Sequence, residues 1–258
     1  MGKNILAEKI LVEVAFFCKE LARLDGKPSD IRELTNMSIS NVISSIIFGK
    51  RFEFDDPQFV EQLNSLNDIA KLNSGTLVLN FFPFLFYIPV DLFKVEQIGT
   101  ERAPSIADKP RLKYFTAVIM EVQRRASILP ITIPYFCSTD TTLAGYTIPK
   151  NTVLMPNLDA VLRSKEIWGD PENFRPERFL DEQGHVVKRE ELISFSVGRR
   201  VCLGESLAKI ELFLYLSNLI QTLQFLPARP DEIPPLKDTW GLAATPEPFE
   251  IKCVKRNA

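Results

Sequence analysis

The feature that most constrains this chain is the segment Phe195-Ser-Val-Gly-Arg-Arg-Val-Cys-Leu-Gly204, which leads directly into the last strongly apolar stretch. That stretch, from about Leu203 to Leu223, is apolar nearly all round and predicts a buried helix. The segment therefore delivers Cys202 to a helix N-terminus. Unpaired N–H groups and the positive end of the helix dipole stabilise a thiolate at that position.

The residues around the cysteine indicate a ligand. Arg199 and Arg200 add positive charge, Gly198 permits a backbone turn that a side chain would obstruct, and Gly204 lets a flat group approach closely. A thiolate in a dry pocket beside an arginine suits a metal that has an anionic partner. A buried cysteine beside surface arginines is the simpler interpretation of an isolated Cys202, so the spacing of the whole segment decides between the two.

The spacing Phe195-x-x-Gly198-x-Arg200-x-Cys202-x-Gly204 resembles the haem-binding signature of the cytochrome P-450 family. Two further segments are similar to motifs of that family and stand in the family's order. Glu121-Val-Gln-Arg124 resembles its E-x-x-R helix, and Pro176-Glu-Arg-Phe179 resembles its P-E-R-F loop. Shorter segments resemble the microsomal branch that metabolises xenobiotics and steroids, namely Gly49-Lys-Arg-Phe52, Ala103–Lys109 and Asn157–Ala160.

The resemblance implies a cofactor, heme b (iron protoporphyrin IX), and a role for each matching residue. Cys202 would be the proximal ligand of the haem iron, with a thiolate that pushes electron density toward O–O cleavage. Arg200 would hold a haem propionate, and Phe195 would pack near the sulfur and exclude water. Gly198 and Gly204 would let the loop and the helix fit against the porphyrin.

Two further sets of residues take roles by the same resemblance. Where this branch commonly has a Pro-His pair the chain has Pro134-Tyr135, so the Tyr135 hydroxyl is expected to donate to the second propionate. Glu121, Arg124 and Arg178 are expected to form a buried ion network that supports the haem-side core. Such a network sets geometry more than it adds net stability, because desolvation offsets much of the attraction.

One part of the family pattern is not matched. The family has a long central helix across the distal face of the haem, with an Ala/Gly-Gly-x-Asp/Glu-Thr motif that helps to protonate bound dioxygen. Here only about twenty residues separate Phe93 from Lys113, and Asp140-Thr141-Thr142, which has similar letters, falls in the predicted sheet region. We therefore predict one P-450-like domain over residues 1–258 that lacks the N-terminal part and the central distal helix, with an apparent deletion near residues 94–100. No catalytic residue is assigned.

The predicted fold class is mainly α with a small β-sheet (α+β), a reduced cytochrome P-450 fold. Apolar residues at helical spacing predict a first helix that ends near Asp25-Gly26 (Ile10, Val14, Phe17, Leu21 and Leu24). They also predict a second helix after Ser29-Asp30 with one buried face (Ile39, Val42, Ile43, Ile46 and Ile47) and a third with Phe59, Leu63 and Leu66 in phase. Asp108-Lys109-Pro110 is expected to open a helix through Leu112, Phe115, Ile119 and Val122. A hairpin is expected around Pro149-Lys150-Asn151, and a short helix between Asp159 and Asn173.

Composition excludes several classes of function. The chain has 31 Lys+Arg against 33 Asp+Glu, so it lacks the basic excess that a nucleic-acid surface requires. The chain has a single histidine, His185, so a zinc site built from several imidazoles is excluded. His185 lies in a polar turn, which is typical of a solvent-exposed loop residue. The cysteines (Cys18, Cys137, Cys202 and Cys253) are too far apart for a CxxC pair, so no disulfide framework is implied and a reducing compartment fits best.

The resemblance implies a haem-thiolate monooxygenase that oxidises apolar organic small molecules with O2 and electrons from an NADPH-dependent reductase. By resemblance it acts at the cytoplasmic face of the endoplasmic reticulum membrane. The chain itself carries no anchor or signal peptide, so the cytoplasm also stays open. The apolar run Leu77–Val90 is too short to span a bilayer, and a buried core segment is favoured for it over a peripheral membrane contact. The phenylalanine-rich run Phe81–Phe93 is expected either to line the pocket or to face the membrane surface.

The alternative is a catalytically impaired haem-binding or interaction variant of the family, which the missing distal motif favours. A third hypothesis, a redox enzyme that uses Cys202 without haem, lacks both a partner histidine and a resolving cysteine nearby.

Overall fold

A computed structural model of the chain describes residues 2–61, 63, 83, 93, 95–99, 101–229, 238–239 and 243–256. Apart from residue 83, the apolar run Leu77–Val90 lies outside the described residues, as do most of the phenylalanine-rich run and Leu66 of the predicted third helix. Of that phenylalanine-rich run, Phe93 is described, and its side chain is buried against Phe115 with ring centroids 5.8 Å apart.

Helices dominate the described residues, as predicted. They include α1 (Gly2–Arg23), α2 (Arg32–Ile47), α3 (Lys113–Ala126), α4 (Leu158–Leu162), α5 (Lys165–Trp168) and α6 (Glu205–Thr222), and residues 57–61 are helical as well. Four 3-10 turns lie between them, at Val95–Ile98, Ile106–Asp108, Pro176–Phe179 and Gly198–Arg200. The expected short helix after Asp159 is therefore a pair of helices, α4 and α5.

The strands are short and pair in antiparallel ladders, which confirms the predicted class of mainly α with a small β component. The pairs are β1 (Tyr135–Phe136) with β4 (Val153–Leu154), β2 (Thr141–Leu143) with β3 (Tyr146–Ile148), β5 (Leu223–Pro227) with β8 (Ile251–Lys255), and β6 (Asp238–Thr239) with β7 (Thr245–Pro246). Thr141 and Thr142 lie in β2, so the letters that resemble the distal motif belong to the sheet region, as predicted.

The core forms where α1 packs against α2 and α6. The predicted stripe of α1 is buried at Ile10, Val14, Phe17 and Leu21. Phe17 meets Tyr215 of α6 at a ring-centroid distance of 5.7 Å. Most of α6 is enclosed, as its sequence predicts, with a run of buried residues from Glu211 to Ile220. Helix α6 begins at Glu205 rather than Leu203, and the Leu203 side chain is exposed to solvent.

The buried face of α2 differs from the predicted one. Ile39 and Val42 are buried, but Ile43 is 37% exposed and Ile47 is 65% exposed. Three polar residues (Thr35, Ser38 and Asn41) take the buried face instead, and each forms hydrogen bonds there. Ser38 Oγ, for example, lies 2.8 Å from the Tyr215 hydroxyl. Because hydrogen bonds make polar burial tolerable, the face that packs is rotated away from the most apolar stripe.

Two local predictions were wrong: the start of helix α3 and the position of the hairpin turn. Local hydrogen bonds explain the start of α3. Helix α3 begins at Lys113 rather than at Asp108, because the Asp108 carboxylate accepts from the Ser105 main chain at 2.9 Å and from Arg102 Nη1 at 2.8 Å. These bonds close the 3-10 turn at Ile106–Asp108 before α3 starts.

The second error concerns the hairpin. The tight turn lies at Ala144-Gly145, where both residues have positive φ, and it joins β2 to β3. Pro149-Lys150-Asn151 instead connects β3 to β4, two strands that belong to different ladders.

Candidate functional site

The loop before α6 is closed by its own main chain. The Cys202 N–H donates to the Phe195 carbonyl at 2.9 Å, and the Glu205 N–H donates to the Cys202 carbonyl at 3.3 Å. Gly198 has φ +74°, a left-handed conformation that favours glycine, and Ser196 has φ 64°. Cys202 lies three residues before α6, at the end of these turns, and its side chain is exposed.

Gly204, unlike Gly198, is not required by the backbone conformation at its position. Its φ of −84° is ordinary for any residue. Among the described residues, an added Cβ would meet only the Cys202 Sγ, at 3.8 Å, which is normal van der Waals contact. The described part of the chain therefore does not itself require Gly204, and the space beside the thiol is open.

A cavity of about 310 Å³ lies beside this loop. Four residues with predicted cofactor roles line it together: Cys202, Arg200, Phe195 and Tyr135. The other described lining residues are four apolar and four uncharged polar ones, with no acidic side chain among them, and the surface that faces the cavity is mostly apolar (Ile128, Leu129, Ile133 and Leu158; Gln123, Thr132, Ser194 and Ser196). Gly198 and Gly204 belong to the loop but not to the cavity wall.

The lining residues fit the thiolate side of a haem. A cysteine sulfur is a suitable ligand for haem iron, a guanidinium binds carboxylates, and the apolar wall suits a porphyrin face. Within the described ranges, no group of three or more His, Cys, Asp or Glu side chains could hold a metal ion.

Exposed apolar side chains flank the cavity. Val197, Val201 and Leu203 lie on the cysteine loop, and Leu203 is fully exposed. Exposed side chains on the neighbouring β1 and β4 segments are Ile131, Ile133, Phe136 and Val153. We refer to these seven residues as the apolar rim. Such clusters of exposed apolar residues on a folded domain mark surfaces that another group covers.

Glu121, Arg124 and Arg178 are in direct contact in the structure. Arg124 donates Nε to Glu121 Oε2 at 2.8 Å and Nη2 to Oε1 at 2.9 Å. Arg178 Nε lies 3.3 Å from Glu121 Oε1, and the Arg175 main-chain N–H donates to the same oxygen at 2.9 Å. The side chains of Glu121 and Arg124 are fully buried, and that of Arg178 is 3% exposed.

The same guanidinium groups tie α3 to the segments around it. Both donate to main-chain carbonyl oxygens, those of Leu162 and Pro171 for Arg124 and those of Trp168 and Asp170 for Arg178. The Asp170 carboxylate adds an ion pair with Arg178 at 2.7 Å. A hydrogen bond from Asn173, followed by the contact with Arg178, holds the pKa of Asp170 below its usual value. The sequence does not predict that Asp170 takes part in the ion network, because Asp170 falls in a loop without a recognisable motif.

Two buried carboxyl groups were also missed. Glu13 of α1 pairs with Arg51 at 2.8 Å, and Glu211 lies inside α6. Burial raises the pKa of each carboxyl to about 7, against the partial opposing effect of Arg51 at Glu13. A signal was present in the sequence, since Glu13 falls on the apolar stripe of α1 and Glu211 interrupts an otherwise apolar stretch.

Comparison with known proteins gives one family. The sequence model of the family described as Cytochrome P450 matches residues 2–97 and 95–253. Cytochrome P450 2U1 of Bos taurus is 30% identical over 355 aligned residues, which cover 99% of this chain and 65% of that protein. Cytochrome P450 2D6 of Pan troglodytes is 31% identical over 354 residues, with coverages of 99% and 71%. Cytochrome P450 2U1 of Mus musculus is 47% identical over 355 residues, with coverages of 99% and 67%.

Two facts about these matches concern the organisation of the chain. It spans 65% of the length of the bovine relative, and the alignment runs over 355 residues although the chain has 258. The two segments matched by the family model meet at residues 95–97. Separately, none of the helices in the described part of the chain is both long enough and apolar enough to cross a bilayer.

Proposed function

The chain belongs to the cytochrome P450 family, and from this premise we propose that it is a haem-thiolate protein of the monooxygenase type. The single observation that carries the proposal is the cavity in which Cys202 and Arg200 meet an apolar wall. Heme b would be held by the Cys202 sulfur at the iron and by Arg200 and Tyr135 at the propionates. When bound, this cofactor supplies the activation of dioxygen for insertion of one oxygen atom into an apolar organic molecule.

The residues of the chain itself prepare this site in three ways. The hydrogen bond from Cys202 N–H to the Phe195 carbonyl fixes the loop that presents the sulfur. The apolar part of the wall lowers the polarity around Arg200, which strengthens charge interactions on that side of the cavity. The network of Glu121, Arg124 and Arg178 fixes α3, and the Ser194 hydroxyl donates to the Gln123 carbonyl at 3.1 Å, joining α3 to the residue before Phe195.

We also propose that the chain is a shortened member of the family, one domain over residues 1–258 with a deletion near residues 94–100. The two-part family match that meets at residues 95–97 supports this proposal. The alignment that is longer than the chain supports it as well. The absent segment would include the distal helix whose motif the sequence does not contain.

The second candidate is a catalytically impaired haem-binding or interaction variant. The apolar rim favours it, because a cavity bordered by exposed Val197, Val201 and Leu203 has no cover on that side among the described residues. Oxygen activation needs a dry pocket and ordered proton delivery. Under this candidate the chain binds haem and does not turn over substrate.

A carbon monoxide difference spectrum tests haem-thiolate ligation. The full chain is reconstituted with hemin, reduced and exposed to carbon monoxide. We expect the Soret band characteristic of thiolate ligation, and we expect Cys202→Ala to lose it. Cys137→Ala is the matched control, because Cys137 is only partly buried and its thiol contacts the Thr139 carbonyl at 3.1 Å, away from the cavity. A colourless but folded chain, or a thiolate band that survives Cys202→Ala, would contradict the assignment.

Turnover separates the two candidates. The reconstituted chain is supplied with an NADPH-dependent reductase, O2 and a panel of apolar organic substrates, and oxygenated products are quantified. Product that depends on Cys202 supports the monooxygenase, whereas haem ligation without product supports the impaired variant.

Fractionation of cells that express the chain tests the proposed location. Recovery with the membrane fraction supports peripheral contact at the cytoplasmic face of the endoplasmic reticulum, and recovery in the soluble fraction supports the cytoplasm.

A further inference from the structure

Gln123 is a polar side chain of the cavity to which no role has been assigned. It lies on α3 between Glu121 and Arg124, is 3% exposed and contributes to the cavity wall. Among the described residues its Nε2 has no hydrogen-bond partner. A buried N–H donor without an acceptor is costly, so this one calls for an acceptor that the described residues do not supply.

The other polar groups of the cavity narrow the chemistry of that acceptor. The Thr132 hydroxyl donates to the Ile133 carbonyl at 3.1 Å, and the Ser194 hydroxyl donates to the Gln123 carbonyl at 3.1 Å. These two hydroxyls are therefore committed to the main chain. Arg200, Tyr135 and Gln123 Nε2 remain as donors, together with the Ser196 hydroxyl. Among the described residues, no acidic side chain lines the cavity. A ligand with an apolar body and carboxylate groups complements this lining.

We propose that Gln123 is a positioning residue for the cofactor, with its Nε2 donating a hydrogen bond to a carboxylate of the bound haem. The inference rests on the proposed function, because the carboxylates in question are the haem propionates. It assigns to α3 a second task beside the ion network: Glu121 and Arg124 fix the helix, and Gln123 addresses the ligand. Removal of the amide is therefore expected to weaken cofactor binding without a change of the axial ligand.

Absorption titration with two cofactors tests the inference. The full chain is titrated with hemin and with hemin dimethyl ester, in which both carboxylates are esterified and uncharged. For Gln123→Met, a near-isosteric change that removes the amide, we expect hemin affinity to fall about tenfold. We expect dimethyl ester affinity to change less than about twofold, and the Soret position of the reduced carbon monoxide complex to stay unchanged.

Two more variants make the test decisive. Gln123→Glu places a negative charge against the carboxylate, so hemin affinity at pH 8 is expected to fall further than in Gln123→Met. This variant also keeps the inference testable if Gln123→Met fails to fold. Thr132→Val is the matched control, because it alters the same cavity at a hydroxyl already bonded to the main chain, and it is expected to leave the ratio of the two affinities unchanged.

Each other outcome has one meaning. An equal loss of affinity for hemin and for its dimethyl ester would assign Gln123 a merely structural role and overturn the inference, as would no loss at all. Binding of hemin by the unaltered chain in either case would leave the proposed function standing. Failure of the unaltered, folded chain to bind hemin would overturn the proposed function and this inference together.

Discussion

The ion network on α3 and the cysteine loop before α6 are neighbours, yet they are completed in different ways. Glu121 and Arg124 are fully buried, and their charges meet one another and the surrounding carbonyl oxygens. On the cysteine loop, Cys202 and Arg200 are exposed, and Leu203 projects entirely into solvent. The first region is satisfied by the chain itself, whereas the second presents exposed groups that are accessible to a ligand.

This difference separates folding from cofactor binding. The contacts that hold α3, α4 and α5 together are bonds between protein atoms, so this region does not need a ligand to form. A ligand that occupies the cavity would stabilise the fold only by mass action, and the gain grows with the logarithm of the ratio of its concentration to its dissociation constant. Substitutions in the two regions are therefore expected to act on different measurements.

The largest effect is expected at Glu121. Glu121→Ala would leave the guanidinium groups of Arg124 and Arg178 buried without their shared carboxylate, which typically costs about 3–5 kcal/mol. We expect a loss of this size in the free energy of unfolding, measured by urea titration with circular dichroism.

Glu20→Ala is the matched control for this prediction. Glu20 pairs with Arg23 at 2.6 Å in an i,i+3 arrangement on α1, where the Arg23 side chain is 62% exposed. An ion pair of this kind is worth about 0–1 kcal/mol. If Glu121→Ala and Glu20→Ala lowered the free energy of unfolding by the same small amount, the buried ion network would not contribute to stability more than a surface ion pair does.

The sequence predicts the buried network better than it predicts the packing of the helices. Glu121 and Arg124 stand three residues apart on one helix face, and Arg178 was brought to them by resemblance; the structure shows the three in contact. The α2 face was predicted less well, because hydropathy favours Ile43 and Ile47. Hydrogen bonds to Tyr215 and to main-chain groups bury Ser38 and other polar residues instead, and such partners are distant in sequence.

The same limit applies to the cavity. Its cysteine and arginine lie within one motif, so their proximity to each other follows from the sequence. Tyr135 and Gln123 come from β1 and α3, and only the fold brings them beside Cys202. The unpartnered Nε2 of Gln123 has no sequence signature, since a glutamine between two ion-network residues looks like an ordinary solvent-facing position of a helix.

The next largest effect is a pH dependence at Glu211, which sharpens the contrast with the paired network. Glu211 Oε1 is buried and has no hydrogen-bond partner among the described residues, and burial raises the pKa of this carboxyl to about 7 from 4.5. The folded state therefore retains a proton that the unfolded chain releases. The associated stability is fully present below pH 4.5, is lost as the pH rises toward 7, and changes little above that.

Glu211→Gln removes this dependence, because the amide does not ionise. Relative to the unaltered chain, its free energy of unfolding is expected to rise by about 2 kcal/mol between pH 5 and pH 8. Glu205→Gln is the control on the same helix, since Glu205 forms a partly exposed ion pair with Lys209 at 2.6 Å. A difference between Glu211→Gln and the unaltered chain that stays constant with pH would show that the carboxyl is already ionised in the fold.

The smallest effect on stability is expected at the apolar rim, because its side chains are exposed to solvent in the folded chain. Leu203→Ser should change the free energy of unfolding by less than about 0.5 kcal/mol, because its side chain is already in solvent. Leu212→Ala, at a fully buried position of α6, should cost about 2–5 kcal/mol. The same Leu203→Ser chain should bind less of the apolar dye 8-anilinonaphthalene-1-sulfonate, measured by fluorescence, since part of the exposed apolar surface is gone. Unchanged dye binding together with a large loss of stability would mean that Leu203 packs against the chain, and the cysteine loop would then be completed from within, as the ion network is.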